Sequence, residues 1–330
     1  MKAIVLQDYG IPESLLEQER AEPERKETQV LVEMYATSIN PGDYVLRSGV
    51  IQHMMPIQFP YVLGTDVAGV VKEVGEKVTY VRPGDRVMGL TPAVGGAYAE
   101  YVAVEENALA LIPPTLSFQQ AGALPAVALS AWQVLFHYGQ LQPGQRILIH
   151  AAAGGVGHIA VQLAKQQGAY VIATARTHNH EFVRQLGADE VIDYSITDFT
   201  EVIRTPVDVV LDMVMDRNAA VVDLKLGETG RKSYVVLKDS GRFISLVAMA
   251  MAIDEYPKIR GIKAQFVHIQ PNRDDLRDDL EAIVRRVQEQ KLKVYVNGIF
   301  PFTAQGISEA YRQSEIDPKR GKIVIQRKLG

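Results

Sequence analysis

The sequence predicts an α/β protein with a β-rich first part, followed by a doubly wound parallel sheet that carries helices on both faces. Two observations predict this architecture. Residues 1–114 contain short apolar strands separated by glycine turns. From residue 146 onward, short β-branched runs alternate with segments of helical spacing. Such an alternation is typical of a parallel sheet that binds its ligands at the carboxyl ends of the strands.

Composition limits the class of protein. A chain of 330 residues with 47% hydrophobic and 22% charged residues can form two globular domains. A net charge of -4 and a pI near 6.0 provide no basic surface for a nucleic acid or an anionic membrane. The sequence contains no run of about 18 apolar residues, which is the length that a membrane-spanning helix needs. Because the apolar start, residues 1–6, is too short for a signal peptide, we expect a cytoplasmic protein.

Cysteine is absent from the sequence. This absence excludes disulfides, a thiol nucleophile and any zinc site built on sulfur.

The predicted strands of the first part are residues 2–6, 30–37, 67–74, 86–88 and 99–104. Ser117 and Gln120 then have the spacing of a capping box, and residues 121–136 have helical spacing interrupted at Pro125. We therefore predict a β-rich first domain over residues 1–122 and an α/β second domain over residues 123–270.

The second domain has predicted strands at residues 147–149, 170–174, 190–192, 207–211, 242–247 and 265–269, with a turn at residues 238–241. Beyond it, a charged helix over residues 274–290 precedes a strand, a helix and a last strand at residues 322–326. We expect residues 271–330 to return to the first domain and complete it, so that the second domain is an insertion.

A glycine turn lies at the centre of this organisation. Ile147 to Ile149 form a buried strand, Gly154, Gly155 and Gly157 follow, and a helix begins there. Its free amides and the positive end of its dipole suit a pyrophosphate. The first glycine of the usual G-x-G-x-x-G motif is replaced by Ala151 or Ala152.

The end of the next strand selects the dinucleotide. An NAD site normally has Asp or Glu there to bind the ribose 2′-hydroxyl. This chain has Thr174 and Arg176 instead, and the first carboxylate is Glu181. Because a guanidinium can bind a 2′-phosphate in bidentate fashion, the sequence favours NADPH.

Seven short segments carry a resemblance that covers essentially the whole chain. They are residues 38–43, 47–49, 63–69, 150–157, 162–165, 186–189 and 321–324, which include Ser38-Ile39-Asn40-Pro41-Gly42-Asp43 and Leu63-Gly64-Thr65-Asp66. The sequence resembles the zinc-independent quinone oxidoreductases, the zeta-crystallin type, of the medium-chain dehydrogenase/reductase superfamily. The resemblance implies a GroES-like catalytic domain and a Rossmann NADPH-binding domain.

The resemblance also implies the absence of zinc. Zinc-dependent members of the superfamily hold the metal with a Cys near the position of Asn40 and a His-Glu pair where this chain has Thr65 and Asp66. We therefore expect no metal site. Without a Lewis acid, the acceptor must itself be electrophilic, as a quinone or an α,β-unsaturated carbonyl is.

The site residues follow from the same resemblance. Asn40 and Ser130 are expected beside the nicotinamide and Gly154, Gly155 and Val156 beside the pyrophosphate. Thr174, Arg176 and Tyr194 are expected beside the adenosine phosphate, the backbone amides of Leu246 and Val247 beside the carboxamide, and Lys322 also at the cofactor. Catalytic candidates are Tyr44 and Asn40.

Several side chains have a second interpretation. Tyr44 is a candidate proton donor, yet it stands one position before the tyrosine of several relatives and equally suits the lining of a cleft; water is the alternative donor. Asp43 and Asp66 are expected to hold loops through backbone amides. His150 is expected to be a satisfied core histidine. Tyr98, Met249 and Met251 suit either a substrate pocket or packing.

The predicted function is NADPH-dependent reduction of a quinone or an enone. One alternative is an enoyl-thioester reductase, which needs a basic entry for coenzyme A; Arg273, Arg277, Lys319 and Arg320 are the basic residues to consider. The other is an NADPH-binding sensor or structural protein without turnover. A predicted edge strand at residues 265–269 suggests a homodimer.

Overall fold

A computed structural model describes residues 1–91, 95–214, 226–247, 260–269, 273, 275–316 and 320–328. The chain forms two compact units. Unit 1 contains residues 1–129 and 270–330, and unit 2 contains residues 130–269. The sequence had suggested boundaries at 122/123 and 270/271. Unit 2 therefore interrupts unit 1 along the chain.

The first part of unit 1 is built from strands, as predicted. They are β1 (Lys2–Leu6), β2 (Leu15–Glu19), β3 (Gln29–Ser38), β4 (Tyr61–Val62), β5 (Asp66–Val74), β6 (Arg86–Leu90), β7 (Tyr101–Glu105) and β8 (Leu109–Leu111). Strands β2, β1 and β4 form one sheet, while β3, β5, β6 and β8 are neighbours in a larger sheet, in which β7 also pairs with β3. The sequence did not predict β2, β4 or β8.

The described residues up to Trp132 form three α-helices: α1 (Pro41–Arg47), α2 (Phe118–Gly122) and α3 (Pro125–Trp132), the last of which extends into unit 2. The predicted capping box exists, since the Ser117 hydroxyl accepts from the Gln120 amide at 3.2 Å and the Gln120 side chain accepts from the Ser117 amide at 3.2 Å. Pro125 starts α3 and so separates it from α2. A π-helical turn, Gln133–Tyr138, follows α3 directly.

Unit 2 contains a six-stranded parallel sheet, which confirms the predicted doubly wound fold. Its strands are β9 (Arg146–Ile149), β10 (Tyr170–Thr174), β11 (Glu190–Ile192), β12 (Val207–Asp212), β13 (Leu237–Ser245) and β14 (Lys263–Phe266), in the order β11-β10-β9-β12-β13-β14. Its described residues form the helices α4 (Gly157–Gln166), α5 (His180–Gln185), α6 (Phe199–Val202) and α7 (Glu228–Val236).

The first strand of this sheet, β9, lies at the position where strand order reverses. It pairs with β10 on one side and β12 on the other. Its residues Ile147, Leu148 and Ile149 are fully buried, as expected for a strand covered on both faces. In open parallel sheets, ligands bind beyond the carboxyl end of such a strand. The glycine turn occupies that place.

The turn predicted at residues 238–241 lies inside a strand. β13 runs continuously from Leu237 to Ser245, and the register of its pairing with β12 shifts between Val207 and Val209. Ser240 has a φ of 59°, and its amide donates to Arg260 at 2.9 Å. The residues that favour a turn thus form an irregularity within a paired strand.

The final part of the chain completes unit 1. It contains α8 (Leu276–Gln288), β15 (Val296–Pro301), α9 (Ala304–Ile316) and β16 (Lys322–Gln326). β16 pairs antiparallel with β3 and parallel with β15, which extends the larger sheet to seven strands. The predicted return of the last strand to the first domain is confirmed. Within the described residues, no helix has the length and apolarity needed to cross a membrane; a cytoplasmic location stays a prediction.

Candidate active site

The glycine turn has the geometry of an anion cradle. Ala151 has a φ of 51°, the Gly154 amide donates to the Ala151 carbonyl at 3.0 Å, and α4 begins at Gly157. In the part of the chain that the structure describes, the amides of Gly155 and Val156 have no acceptor. These donors lie at the first turn of α4, where the helix dipole favours negative charge.

Gly157 is required by close packing. A Cβ atom at this position would lie 2.4 Å from the Ala151 carbonyl oxygen and 2.7 Å from the Ala152 Cα. By contrast, Ala151 adopts the left-handed conformation that usually favours glycine. The turn after β9 thus opens on a left-handed residue that is not glycine.

Arg176 and Tyr194 lie together after β10 and β11. The Arg176 side chain is exposed, and its Nε donates to the Tyr194 hydroxyl at 3.2 Å. Tyr194 is 52% exposed, which is unusual for a large aromatic side chain. Thr174 differs from both because it is buried, and its hydroxyl lies 3.1 Å from Nδ1 of His150.

His150 is a satisfied core histidine, as expected. Its Nε2 lies 2.9 Å from the Ser233 hydroxyl, which itself donates to the Thr229 carbonyl at 2.8 Å. The Ser233 proton is thus used, so Nε2 carries the imidazole proton and Thr174 donates to Nδ1. Burial lowers the pKa of His150 to about 3. The ring is neutral and fixes the end of β9.

Asp193 was missed by the sequence reasoning. Its carboxylate accepts from the amides of Thr177 and Ser195 at 2.5 and 2.9 Å, and from both of their hydroxyl groups. These bonds, with the Ser195 hydroxyl first, hold the pKa of Asp193 well below its usual range. The local signal was an Asp two residues before a Ser, which is typical of an Asx turn.

Two of the residues expected at the nicotinamide end of unit 2, Leu246 and Val247, have backbone amides that donate within the chain. Ser130 is buried on α3. The Leu246 amide donates to the Asp212 carbonyl at 3.0 Å, and the Val247 amide donates to the Ser245 hydroxyl at 3.2 Å. Burial raises the pKa of Asp212 to about 6. Met249 and Met251 lie outside the described residues.

In unit 1, Asn40 and Lys322 form a buried polar cluster with Asp66. The Lys322 ammonium donates to Asn40 Oδ1 at 2.6 Å and to the Ile39 carbonyl at 2.7 Å, and lies 3.8 Å from Asp66 Oδ2. Asp66 accepts from Asn40 Nδ2 at 2.7 Å and from the Ser38 hydroxyl. Both polar atoms of the Asn40 amide are therefore engaged. Burial lowers the pKa of Lys322.

Both aspartates accept from backbone amides, as predicted, although the amide that Asp66 binds is in the first turn of α3 and not in a loop. Asp66 accepts from the Ala126 amide at 2.7 Å, and Asp43 accepts from the Asn40 amide at 2.9 Å. Tyr98 donates to Asp43 at 3.3 Å and lies 3.2 Å from the Tyr311 hydroxyl. Burial raises the pKa of Asp43 to about 7. Tyr98 is fully buried, so its role is packing and hydrogen bonding.

Tyr44 lies on α1, next to Asp43 in the chain, and its side chain is half-buried. Its role as a proton donor stays a prediction. Among the described residues, no group of three or more histidine, aspartate and glutamate side chains is arranged to hold a metal ion.

The comparisons with known proteins cover both units. A family model described as alcohol dehydrogenase GroES-like domain matches residues 26–114, and one described as zinc-binding dehydrogenase matches residues 186–325. The chloroplastic quinone-oxidoreductase homolog of Spinacia oleracea is 34% identical over 340 residues, covering 99% of this chain and 98% of the spinach protein.

Solved structures agree with these matches. The quinone oxidoreductase from Coxiella burnetii has a TM-score of 0.86 at 34% identity and covers 99% of each chain. The Escherichia coli quinone oxidoreductase, solved in complex with NADPH, has a TM-score of 0.86 at 26% identity and covers 99% of this chain and 100% of its own. The present chain therefore belongs to the quinone oxidoreductase family of the medium-chain dehydrogenase/reductase superfamily and is an oxidoreductase.

Proposed function

We propose that this protein transfers hydride from NADPH to a quinone or an α,β-unsaturated carbonyl without a metal ion. The observation that carries the proposal is the exposed Arg176 at the end of β10, hydrogen-bonded to Tyr194. An NAD site has a carboxylate at this place, which would repel a 2′-phosphate. The Arg176 guanidinium offers further donors to such a phosphate.

The glycine turn supports dinucleotide binding. The amides of Gly155 and Val156 and the start of α4 can receive the pyrophosphate, and Gly157 permits the close approach of α4 to the turn. The E. coli structure with NADPH has the same overall fold. Direct contacts of Thr174, Ser130, Leu246 and Val247 with the cofactor stay predictions; buried Thr174 suits a supporting role.

The polar cluster of unit 1 supports zinc-independent chemistry. The resemblance aligns Asn40, Thr65 and Asp66 with zinc-binding positions, but the Lys322 ammonium already neutralises Asp66 and occupies Asn40 Oδ1. A second cation beside this ammonium would be repelled. The sequence also offers no thiolate. One matching family is described as zinc-binding dehydrogenase, but these donors do not suit zinc.

The proposed substrates suit such a site. Reduced nicotinamide supplies the hydride, and conjugation with a carbonyl makes the acceptor carbon electrophilic without a Lewis acid. The protein then contributes binding, orientation and the exclusion of water. The fixed positions of Asn40, Asp66 and Lys322 provide a preorganised polar surrounding that needs no metal.

The enoyl-thioester alternative has weaker support. It needs basic side chains for the phosphates of coenzyme A, but Arg273 pairs with Asp275 at 2.5 Å and Arg277 with Glu106 at 3.3 Å. These carboxylates compete with a phosphate for the two guanidinium groups. Lys319 lies outside the described residues.

The proposed function is tested by following NADPH absorbance with 1,4-benzoquinone, an alkenal and crotonyl-coenzyme A as separate acceptors. We expect oxidation with the quinone or the alkenal, undiminished after dialysis against a chelator. Preferred turnover of the thioester would favour the alternative enzyme. Saturable NADPH binding without turnover of any acceptor would indicate a sensor or structural protein. Activity lost to the chelator and restored by zinc would contradict the metal-free reaction.

We also propose a homodimer formed through β14. Among the described strands, β14 is at the edge of its sheet and pairs with β13 alone. The Val267 amide donates to the Ser245 carbonyl, so the alternate amides of Ala264 and Phe266 face away from β13. A second copy can pair with this edge.

A further inference from the structure

The carboxylate of Asp193 ties together the two segments that carry Arg176 and Tyr194. Arg176 directly precedes Thr177, and Tyr194 stands between Asp193 and Ser195 in the chain. Asp193 accepts from the backbone and side chain of Thr177 on one segment and of Ser195 on the other. A single side chain thus sets the spacing between the ends of β10 and β11.

The surrounding backbone reinforces this connection. The Ala175 amide donates to the Ile192 carbonyl at 3.0 Å, and the Asn179 amide donates to the Arg176 carbonyl at 2.8 Å. Asp193 is only 6% exposed, whereas the neighbouring Arg176 and Tyr194 are exposed. A buried, hydrogen-bonded carboxylate thus holds the backbone next to two exposed side chains that are candidates for phosphate binding.

We propose that Asp193 is a positioning residue that fixes the Arg176–Tyr194 pair for the 2′-phosphate of NADPH and thereby sets the preference for NADPH over NADH. This inference rests on the proposed NADPH dependence. Asp193 itself does not contact the phosphate. It acts by holding the two segments to which Arg176 and Tyr194 belong.

A carboxylate near a phosphate site requires compensation, and the structure provides it. Four donors surround Asp193, so its negative charge is offset locally by N–H and O–H dipoles. All four donors need acceptors. An amide in place of the carboxylate turns one acceptor into an NH₂ group that faces donors, which disrupts the connection with almost no change in volume.

Asp198 provides a matched control in the same unit. Its carboxylate accepts from the Thr200 amide at 3.0 Å, from the Thr200 hydroxyl at 2.8 Å and from Lys232 at 2.9 Å. It is therefore also a hydrogen-bonded aspartate, but none of these partners belongs to the segments of Arg176 and Tyr194. Asp198→Asn places an NH₂ group against the Lys232 ammonium, as Asp193→Asn places one against donors, without acting on the proposed phosphate site.

The test is a titration of NADPH and NADH against the full-length wild type, Asp193→Asn and Asp198→Asn, with cofactor fluorescence as the readout. For Asp193→Asn we expect NADPH to bind about tenfold more weakly and NADH within about twofold of wild type, since one displaced charge-assisted contact corresponds to roughly 1.4 kcal/mol. Asp198→Asn should keep the wild-type ratio of the two dissociation constants. A thermal melt of each variant reports on folding.

An unchanged ratio in folded Asp193→Asn, or an equal loss for both cofactors, would overturn the proposal. If Asp193→Asn does not fold, Thr177→Val combined with Ser195→Ala removes two donors and should lower the preference by about threefold; an unchanged preference would again overturn it. Arg176→Ala distinguishes a failure of the role of Asp193 from a failure of the proposed function. If that variant loses the NADPH preference and Asp193→Asn does not, the role of Asp193 fails while the proposed function stands. If the wild type itself does not prefer NADPH, both fail.

Discussion

Lys322 Nζ lies 2.6 Å from Oδ1 of Asn40, and this contact joins the start of the last strand, β16, to the residue before α1. The two side chains are partners in a buried cluster with Asp66, and their expected place at the cofactor stays a prediction. Asn40 cannot turn its amide without losing a bond to Lys322 or Asp66, so its orientation is fixed.

Replacement of Lys322 by Met should destabilise the protein by about 3 kcal/mol, because it leaves Asp66 without its buried counter-ion and Asn40 Oδ1 without a donor. Urea unfolding at neutral pH measures the change. Lys328→Met removes an exposed lysine just beyond the same strand and serves as control. A loss no larger than that of the control would show that the ammonium is not needed in the cluster.

Asp43→Asn should change how stability depends on pH. Because burial raises the Asp43 pKa from 3.8 to about 7, the folded state holds a proton that the unfolded state releases. Stability contributed by this group is therefore lost as pH rises from about 4 to 7, by up to ~4 kcal/mol. The stability of the wild type relative to Asp43→Asn should fall across this window, as measured by urea unfolding.

The Asn variant suits this test because an amide oxygen in place of Oδ2 still accepts from the Asn40 amide and Tyr98, while its NH₂ group faces Thr65. The charged neighbours Lys322 and Asp66 are unchanged. A stability difference that is constant between pH 4 and 7 would contradict the raised pKa.

His150→Gln should reveal a dependence of stability on pH that has the opposite sign. The folded pKa of His150 is about 3, below its ordinary value of 6.5, so the unfolded state binds the proton first as pH falls. Between pH 6.5 and 4 the wild type should lose roughly 3 kcal/mol relative to the variant. Acid unfolding followed by circular dichroism measures it, and parallel curves for the two proteins would refute the prediction.

Arg176→Ala should reduce the preference for NADPH over NADH by at least about tenfold. The reason is that loss of a guanidinium contact to a phosphate costs roughly 1.5–3 kcal/mol of binding free energy. The measurement is kcat/KM with each cofactor at a fixed quinone concentration. Arg184→Ala, which removes an exposed arginine from α5, is the control. Equal changes with both cofactors would remove the basis of the cofactor assignment.

Ala264→Pro should convert the proposed dimer into a monomer. Proline at this position removes an outward amide of β14 and leaves the inward Val267 bond in place. Sedimentation velocity distinguishes the two states. If the wild type is monomeric, or if the variant remains a dimer, the β14 interface is wrong.

The sequence predicted the elements whose residues are buried on a regular period. β9, β10 and β12 have continuous apolar runs because both faces of the sheet are covered, and β16 showed its strand pattern at residues 322–326. β2 was missed because four of its five residues are exposed and two are glutamates. β4 has only two residues, too few for a period.

The sequence predicted those parts of the candidate site that are formed by residues close together in the chain. The glycine turn and the Arg176 segment depend on residues close in sequence. The bond between Asn40 and Lys322 joins residues 282 positions apart, and nothing near Lys322 indicates a buried ammonium. The segment of Arg176 is likewise held by Asp193, which follows β11, the next strand in the chain. A pattern of neighbouring residues could not reveal this contact.

The strand that carries Lys322 leaves the ribosome after all of unit 2. Until then, the nascent chain has β3 without β16 at its edge, and Asp66 is made 256 residues before its counter-ion, as the numbering of Asp66 and Lys322 shows. A polypeptide released early would keep the nucleotide-binding half and lack this strand. Folding of unit 1 is thereby tied to the synthesis of β16, and products truncated before this strand should be targets for proteolysis.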